Sequence, residues 1–282
     1  MTTGPAAALD DPGLGDALGL EGMEQPARWR GRPLAETRWS LELSRLLVDP
    51  VFIGRGVPRG DGRPVVVMPG FLAGDQTLAV LAGWLHRIGY RPRVCGFVAN
   101  AGCSDRALDR VERRVESVAR SHGGRLALVG HSRGGHYARA LAARRPDLVS
   151  HAISLGADLQ GMFGCSAPTL KAISGIRAIL RATGQARSPE CLSEACPCPF
   201  VSDFHAPFPV DAVHLTSIYS KGDGVVQWRK QLVPYADCVE VTGSHVGLIF
   251  NRASYRAIAA ALAVPARPPT PSSTPQRPRR AA

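Results

Sequence analysis

The chain has 282 residues, 45% of them hydrophobic, and a formal net charge of +11. This size and hydrophobic content suit one globular domain, or one domain with a cap. No apolar run approaches the roughly 20 residues of a membrane span. The first residues include Asp10 and Asp11 instead of a basic start and an apolar core, so we expect no signal peptide. These features predict a cytoplasmic protein, and they leave peripheral membrane contact and the oligomeric state open.

The basic residues of the chain do not form a motif typical of nucleic-acid-binding proteins. Part of the positive charge lies in the last residues, where Arg267, Arg277, Arg279 and Arg280 occur, and aromatic residues make up only 6% of the chain. This pattern is typical of a soluble, arginine-rich protein, and we expect no nucleic-acid partner.

Of the seven cysteines, Cys191, Cys196 and Cys198 form a C-x4-C-x-C cluster in a proline-rich loop. A zinc site favours paired C-x-x-C units or added histidines. The spacing therefore predicts no metal or cofactor, and the loop holds either a local disulfide or reduced thiols.

Strands alternate with helices along most of the chain, which predicts an α/β fold with a mostly parallel sheet covered on both faces. We expect one domain over residues 35–264, with disordered, proline-rich segments at 1–34 and 265–282. Strands are predicted at 65–68, 93–98, 126–129, 151–156, 214–220 and 238–242, and helices at 34–48, 75–88, 104–122, 137–145, 169–183 and 253–263.

The third predicted strand ends in Gly130-His131-Ser132-Arg133-Gly134. A G-x-S-x-G sequence between a strand and a helix is the setting of a nucleophile elbow, in which a serine is exposed on a strained turn. The glycines let strand and helix approach closely. Ser132 is the candidate nucleophile; the alternative is a tight turn with an inert serine.

A serine hydroxyl needs a base, and the base needs an acid to orient it. In elbow enzymes these residues follow in the order serine, acid, histidine. Asp223 and His245 fit that order, and each follows a predicted strand. Asp158 is the main alternative acid because it follows the strand before. For the oxyanion we expect the backbone N–H groups of Arg133 and Phe71.

Residues 157–210 contain no predicted strand and interrupt the alternation. Such an insertion lies over the carboxyl edge of the sheet, where ligands bind. We interpret it as a cap whose apolar helix covers the pocket, with Ile173 and Ile176 contacting substrate. The alternative is a helix that packs on the body beside the pocket.

These pieces resemble the α/β-hydrolase superfamily, and within it the bacterial lipases and esterases whose oxyanion strand ends in Pro-Gly-Phe. The matching residues run from Pro69-Gly70-Phe71-Leu72 through the Ser132 motif to the loops at 222–226 and 243–247. In place of the group's Leu-Gly-Ser-Pro after the fourth strand, the chain has Leu155-Gly156-Ala157-Asp158.

The resemblance implies an α/β-hydrolase fold and a serine-hydrolase mechanism carried by Ser132, Asp223 and His245, with Leu72 beside the substrate. We expect cleavage of a small-molecule ester or lipid through an acyl-enzyme, without a cofactor. A thioesterase, an acyltransferase and an inactive binding protein are the alternatives, because one scaffold supports all of them.

Overall fold

Six parallel strands form one sheet in the order β2-β1-β3-β4-β5-β6. A computed structural model describes residues 31–268, apart from 32, 187 and 194. The strands are β1 Pro64–Met68, β2 Arg91–Val94, β3 Leu126–His131, β4 Val149–Leu155, β5 His214–Ser220 and β6 Asp237–Val241. The α/β class predicted from the alternating pattern is thereby confirmed.

Seven α-helices are present in the described part of the chain. They are α1 Trp39–Leu47, α2 Ala79–Arg87, α3 Ser104–His122, α4 Arg133–Arg144, α5 Ala167–Ala182, α6 Pro199–His205 and α7 Arg252–Ala263. Sequence reasoning missed α6, which is short and begins with a proline. Its residues carry too few apolar repeats to show helical periodicity.

The second strand is shorter than predicted and ends at Val94. Directly after it, Gly96 has a φ of 80°, so the chain leaves the sheet. The Asp75 carboxylate accepts hydrogen bonds from the N–H groups of Gly96 and Phe97, at 2.6 and 3.1 Å. These bonds replace the ladder bonds that an extended strand would have made.

The ends of the domain lie slightly outside the predicted bounds. A 3₁₀ helix, Pro33–Arg38, precedes α1, so the ordered structure begins before residue 35. At the other end, the carbonyl of Pro265 accepts a hydrogen bond from His214. The segments 1–30 and 269–282, for which we predicted disorder, lie outside the described residues.

Alternating strand residues divide the core into two layers, one on each face of the sheet. On β1, Val66 and Met68 pack against α3 and α4, whereas Val65 and Val67 pack against α2 and α7. Side chains of a strand point to opposite faces in turn, so a fully buried strand needs apolar residues throughout. No helix in the described part of the chain is both long and apolar enough to cross a bilayer.

The insertion between β4 and β5 divides into two parts. Phe200 and Phe204 of α6 are buried in the core beside α3 and α4, so this end of the predicted cap belongs to the body. Helix α5 buries only Leu180 fully and lies further out. The cap is therefore smaller than the predicted 157–210 and consists mainly of α5 and its flanking loops.

At the amino ends of the strands, His151 is held as a neutral side chain. Its Nδ1 accepts a hydrogen bond from Arg63 at 2.8 Å, and its Nε2–H donates to the carbonyl of Val264 at 3.0 Å. Burial and the charge of Arg63 lower the pKa of His151 to about 4. Protonation would place a second positive charge against Arg63.

We expect this histidine to destabilise the protein in acid. His151 binds a proton near pH 6.5 in the unfolded chain but only near pH 4 in the folded chain. Its contribution to the free energy of unfolding is therefore fully present above pH 6.5 and is lost as the pH falls towards 4. The loss from this residue should be roughly 2–3 kcal/mol at pH 4.5. Urea unfolding measures the free energy of unfolding at pH 7.5 and at pH 4.5. The difference between the two values should be smaller in His151→Gln than in wild type by that amount. An unchanged dependence would contradict the assignment.

Candidate active site

Ser132 lies on the sharp turn between β3 and α4. Its backbone has φ 51° and ψ −121°, a strained conformation for a residue with a side chain. A Cβ on Gly130 would overlap the backbone of Gly134 and Gly135, and one on Gly134 would overlap the carbonyl of Met68. The two flanking glycines therefore permit the close approach of strand and helix that the sequence motif predicts.

Asp223 and His245 are brought together at the same carboxyl edge of the sheet. Asp223 follows β5, His245 follows β6, and both are buried. His245 Nδ1 and Asp223 Oδ2 are 2.8 Å apart. With the proton on Nδ1, His245 Nε2 is left as an acceptor, which is the nitrogen that a general base uses.

Both oxygens of the Asp223 carboxylate accept hydrogen bonds from the protein. Its Oδ1 accepts from the N–H groups of Val225 and Val226, both at 2.8 Å, and its Oδ2 also accepts from Gln231 Nε2 at 3.0 Å. Gln231 is itself fully buried. Because every partner donates, the carboxylate is fixed as an acceptor facing His245.

Asp158, the alternative acid, has a different function in the structure. Its Oδ1 accepts from the N–H groups of Gln160 and Gly161, and its Oδ2 accepts from that of Gly164. Burial raises the pKa of Asp158, although these bonds oppose the shift. The carboxylate thus closes the turn that starts the insertion, and it is Asp223 that contacts His245.

The charge environment favours the protonated form of His245. Burial opposes protonation, but the Asp223 carboxylate beside it and the charge of Glu36 outweigh burial and raise the pKa of His245 above its usual value. A base with a raised pKa gains a proton more readily during a reaction than a free imidazole would.

The pKa of His131, the residue before Ser132, is shifted in the opposite direction to that of His245. Burial and the neighbouring His245 lower the pKa of His131 to about 3. Its Nε2 lies 2.9 Å from the carbonyl oxygen of His245, and the two rings are 4.9 Å apart. A neutral His131 therefore donates to the backbone of His245 and packs against its ring.

The loop after β1 is braced by Asn100, which is fully buried. Its amide donates to the carbonyl of Pro69 and accepts from the hydroxyl of Tyr137, and its backbone carbonyl accepts from the N–H of Leu72. Among the described residues, nothing accepts a hydrogen bond from the N–H of Phe71. That group therefore stays available as a donor, and Phe71 lines the same cavity as Ser132.

Arg133 has a second function that the sequence motif did not indicate. Its guanidinium donates to the carbonyls of Asn100 and Gly102, at 3.0 and 2.6 Å, and to Ser104 Oγ at 2.9 Å. Its backbone N–H is in the first turn of α4, where helical N–H groups lack partners within the helix. The side chain thus ties the elbow to the Asn100 loop.

Ser132 opens into a cavity of about 60 Å³ beneath the cap. Its walls are mostly apolar and include Phe71, Met162, Phe163, Ile173, Phe200 and Val226. Of the three residues predicted to contact substrate, Ile173 lines this cavity, whereas Leu72 and Ile176 are not among its walls. Leu72 is half-exposed, with a φ of 61°.

Ile176 belongs to a separate cluster that attaches the cap to the body. The buried members of that cluster are Cys103, Leu180, Cys191 and Leu192, against which Ile173 and Ile176 pack. The Cys103 thiol comes from the body and hydrogen-bonds Cys191 of the cap, which lowers the pKa of Cys103 to about 6. No three His, Cys, Asp or Glu side chains of the described residues are grouped as a metal site requires.

A larger cavity, of about 620 Å³, opens at the other end of the sheet. Arg59, Arg63, Arg125 and Arg267 line it, but their guanidiniums donate to backbone carbonyls of neighbouring residues. We assign it no function, since these arginines are already engaged by the backbone.

Known proteins were compared with the chain by sequence and by structure. No protein-family model matches it, and no curated protein matches its sequence. Solved structures do match. Bacillus licheniformis lipase BlEst2 in its mature form is 14% identical, with a TM-score of 0.52, over 73% of this chain and 94% of that one. The chain has the α/β-hydrolase fold.

Two further structures support this fold assignment. The propeptide form of the same Bacillus licheniformis lipase is 13% identical, with a TM-score of 0.53, over 75% of this chain and 52% of that one. A structure of the metagenome-derived lipolytic enzymes LipS and LipT is 14% identical, with a TM-score of 0.50, over 73% and 94%. The α/β-hydrolase fold orders Ser132, Asp223 and His245 along one sheet edge.

Sequence reasoning missed two residues of this candidate site. Gln231 gave no signal, because it lies in the short 3₁₀ helix Trp228–Gln231 outside any periodic segment. Gly156 has a φ of 67°, and a Cβ there would lie 3.1 Å from His245 Nδ1 and 3.2 Å from Asp223 Oδ2. A glycine at the last position of a predicted strand could have indicated this close approach.

The contact between Asp223 and His245 can be tested without a substrate. In Asp223→Asn the pKa of His245 should fall, because a carboxylate that favours the imidazolium is removed. Asp158→Asn, the matched control, should leave that pKa unchanged. A pH titration of the histidine NMR signals, assigned with His245→Gln, measures both. A larger effect of Asp158→Asn would exclude Asp223 as the acid.

Proposed function

We propose that the protein is a serine hydrolase that cleaves carboxylic esters through an acyl-enzyme. The observation that carries this proposal is the buried hydrogen bond between Asp223 and His245 at the sheet edge that also bears Ser132 on its strained turn. The lipases and lipolytic enzymes with the same fold support ester cleavage as the reaction class.

In the first half-reaction, Ser132 Oγ attacks the ester carbonyl carbon while His245 Nε2 takes the hydroxyl proton. Asp223 keeps the proton on Nδ1 and stabilises the imidazolium. The carbonyl oxygen becomes an anion, for which the N–H groups of Phe71 and Arg133 are the proposed donors. Collapse of the intermediate breaks the ester bond, and His245 gives its proton to the departing alcohol.

In the second half-reaction, water attacks the acyl-enzyme and His245 takes its proton. The same two N–H groups receive the second oxyanion. Collapse of this intermediate releases the carboxylic acid and returns the proton to Ser132. Because no step needs an oxidant, a metal or an organic cofactor, the chain's own residues complete the cycle.

The cavity sets the substrate class that we propose. Its apolar walls suit an acyl chain, and a volume of about 60 Å³ is far below that of drug-sized ligand pockets. With the cap as it lies, an acyl group of few carbons fits beside Ser132. Longer chains require the cap helix α5 to move.

Ser132→Ala should abolish ester hydrolysis while the protein stays folded. Loss of the nucleophile removes the acyl-enzyme route, and a decrease in kcat of roughly 10⁴–10⁶-fold is expected. The measurement is hydrolysis of nitrophenyl acetate, with fluorophosphonate labelling as a second readout and circular dichroism as the folding control. Activity within tenfold of wild type would refute the proposal, and a matched thioester series shows whether thioesters are cleaved faster.

Enlarging the cavity should shift the acyl preference. Wild type should favour acetyl and butanoyl over octanoyl nitrophenyl esters, and Ile173→Ala should raise kcat/KM for octanoyl relative to acetyl because Ile173 lines the cavity. Ile176→Ala is the matched control, since it removes the same atoms from the neighbouring cluster. An equal change of the ratio in both variants would mean that α5 is only structural support.

A further inference from the structure

The carboxylate of Glu36 lies between the loop that carries Asp223 and the loop that carries His245. Its Oε1 accepts hydrogen bonds from the N–H groups of Gly224 and His245, both at 3.0 Å, and its Oε2 accepts from that of Val246 at 2.8 Å. Glu36 comes from the 3₁₀ helix Pro33–Arg38, which precedes the whole sheet in sequence. One side chain therefore joins three parts of the chain.

A second glutamate from the same end of the chain holds the histidine loop. Glu42 of α1 is buried, and its carboxylate accepts from Ser244 N–H at 2.9 Å and from Ser244 Oγ at 3.3 Å. A Cβ on Gly247 would overlap the Glu42 carboxylate. The loop after β6 is therefore shaped to receive this side chain.

The backbone leading to Glu36 is equally close to the acid loop. Gly31 has a φ of 69°, and a Cβ there would lie 2.5 Å from the carbonyl oxygen of Gly224 and 2.6 Å from Ser166 Cβ. No side chain larger than hydrogen fits at this point. The N-terminal segment thus lies directly on the residue that follows Asp223.

The chemistry of the contact selects a carboxylate. Three N–H donors converge on two oxygens, and only an ionised acid offers acceptors at both. Hydrogen bonds to an ionised acceptor are stronger than neutral ones. A glutamine in the same place would present an NH2 group to one of the donors and lose that bond.

Resting on the ester hydrolase proposed above, we propose that Glu36 is a positioning residue of the catalytic centre. Its carboxylate binds the acid loop and the base loop together, so that Asp223 and His245 keep their hydrogen bond. Its hydrogen bonds go to the backbone of the two loops, and among the described residues that line the cavity at Ser132, Glu36 is not found.

The groups around His245 determine what the charge of Glu36 does. Asp223 and Glu36 are negative and favour its protonated form, His131 beside it stays neutral, and Glu42 lies behind the adjacent Ser244. Removing the negative charge of Glu36 should therefore lower the pKa of His245. If Glu36 only held the loops and its charge did not act on His245, removing that charge would leave the pKa of His245 unchanged.

The test compares wild type with Glu36→Gln and with Glu36→Asp in the full chain. In Glu36→Gln we expect kcat to fall about 10- to 100-fold, since small misplacement of a base has effects of this size. KM should stay within about twofold, because Glu36 is outside the cavity. The acid limb of the kcat/KM profile should move to lower pH by roughly half a unit.

Glu36→Asp separates position from charge. The shorter side chain cannot reach all three N–H groups, so kcat should fall as well, but the retained charge should keep the acid limb near that of wild type. Glu116→Gln, which removes a partly buried carboxylate of α3 whose ion pair with Arg145 lies outside the site, is the matched control and should change neither quantity. Thermal unfolding of each variant shows that the comparison is made on folded protein.

Three outcomes would overturn the proposal: unchanged kcat in Glu36→Gln, an acid limb that does not move, or an equal effect of Glu116→Gln. If wild type cleaves no ester and resists fluorophosphonate, the ester hydrolase proposal has failed, and the Glu36 contact is judged by NMR alone. The His245 titration in the resting protein should then still shift to lower pH in Glu36→Gln. No shift would overturn the positioning function independently of any activity.

Discussion

The contact between the backbones of β3 and α4 around Ser132 is the constraint on which the site depends. Only glycine fits at positions 130 and 134, because a Cβ at either would overlap main-chain atoms. The strained turn is stabilised by the hydrogen bond from the Ser132 N–H to the carbonyl of Leu155, at 2.7 Å. That bond links the turn to β4, a central strand of the sheet, and so helps to hold Ser132 in its strained backbone conformation.

Around that turn, carboxylates shape the loops at the carboxyl edge of the sheet. Asp75, Asp158, Asp223, Glu36 and Glu42 each accept hydrogen bonds from backbone N–H groups of loop residues. Loops lack the ladder bonds of strands and helices, and a buried N–H without a partner is costly. An ionised acceptor satisfies several such donors at once, which gives irregular segments defined positions without extra secondary structure.

The insertion combines two kinds of packing with different consequences. Helix α6 contributes Phe200 and Phe204 to the main core, so it is attached to the body by the same apolar cluster as α3 and α4. Helix α5 packs through the small cluster around Cys103, Leu180 and Cys191 and leaves much of its surface exposed. The part of the cap that covers Ser132 is therefore held by few buried contacts and is the part most able to move.

The sequence alone determined the strand and helix alternation, the turn at Ser132 and the order of Ser132, Asp223 and His245, because these follow from local periodicity, glycine sterics and chain order. Only the tertiary structure shows that Asp223, and not Asp158, contacts His245, since both follow strands and the difference lies in which loop reaches His245. It also shows the contacts that Gln231 and Glu36 make with these loops. Their partners lie on other parts of the chain, and no local pattern encodes a contact between segments that meet only when the sheet has formed.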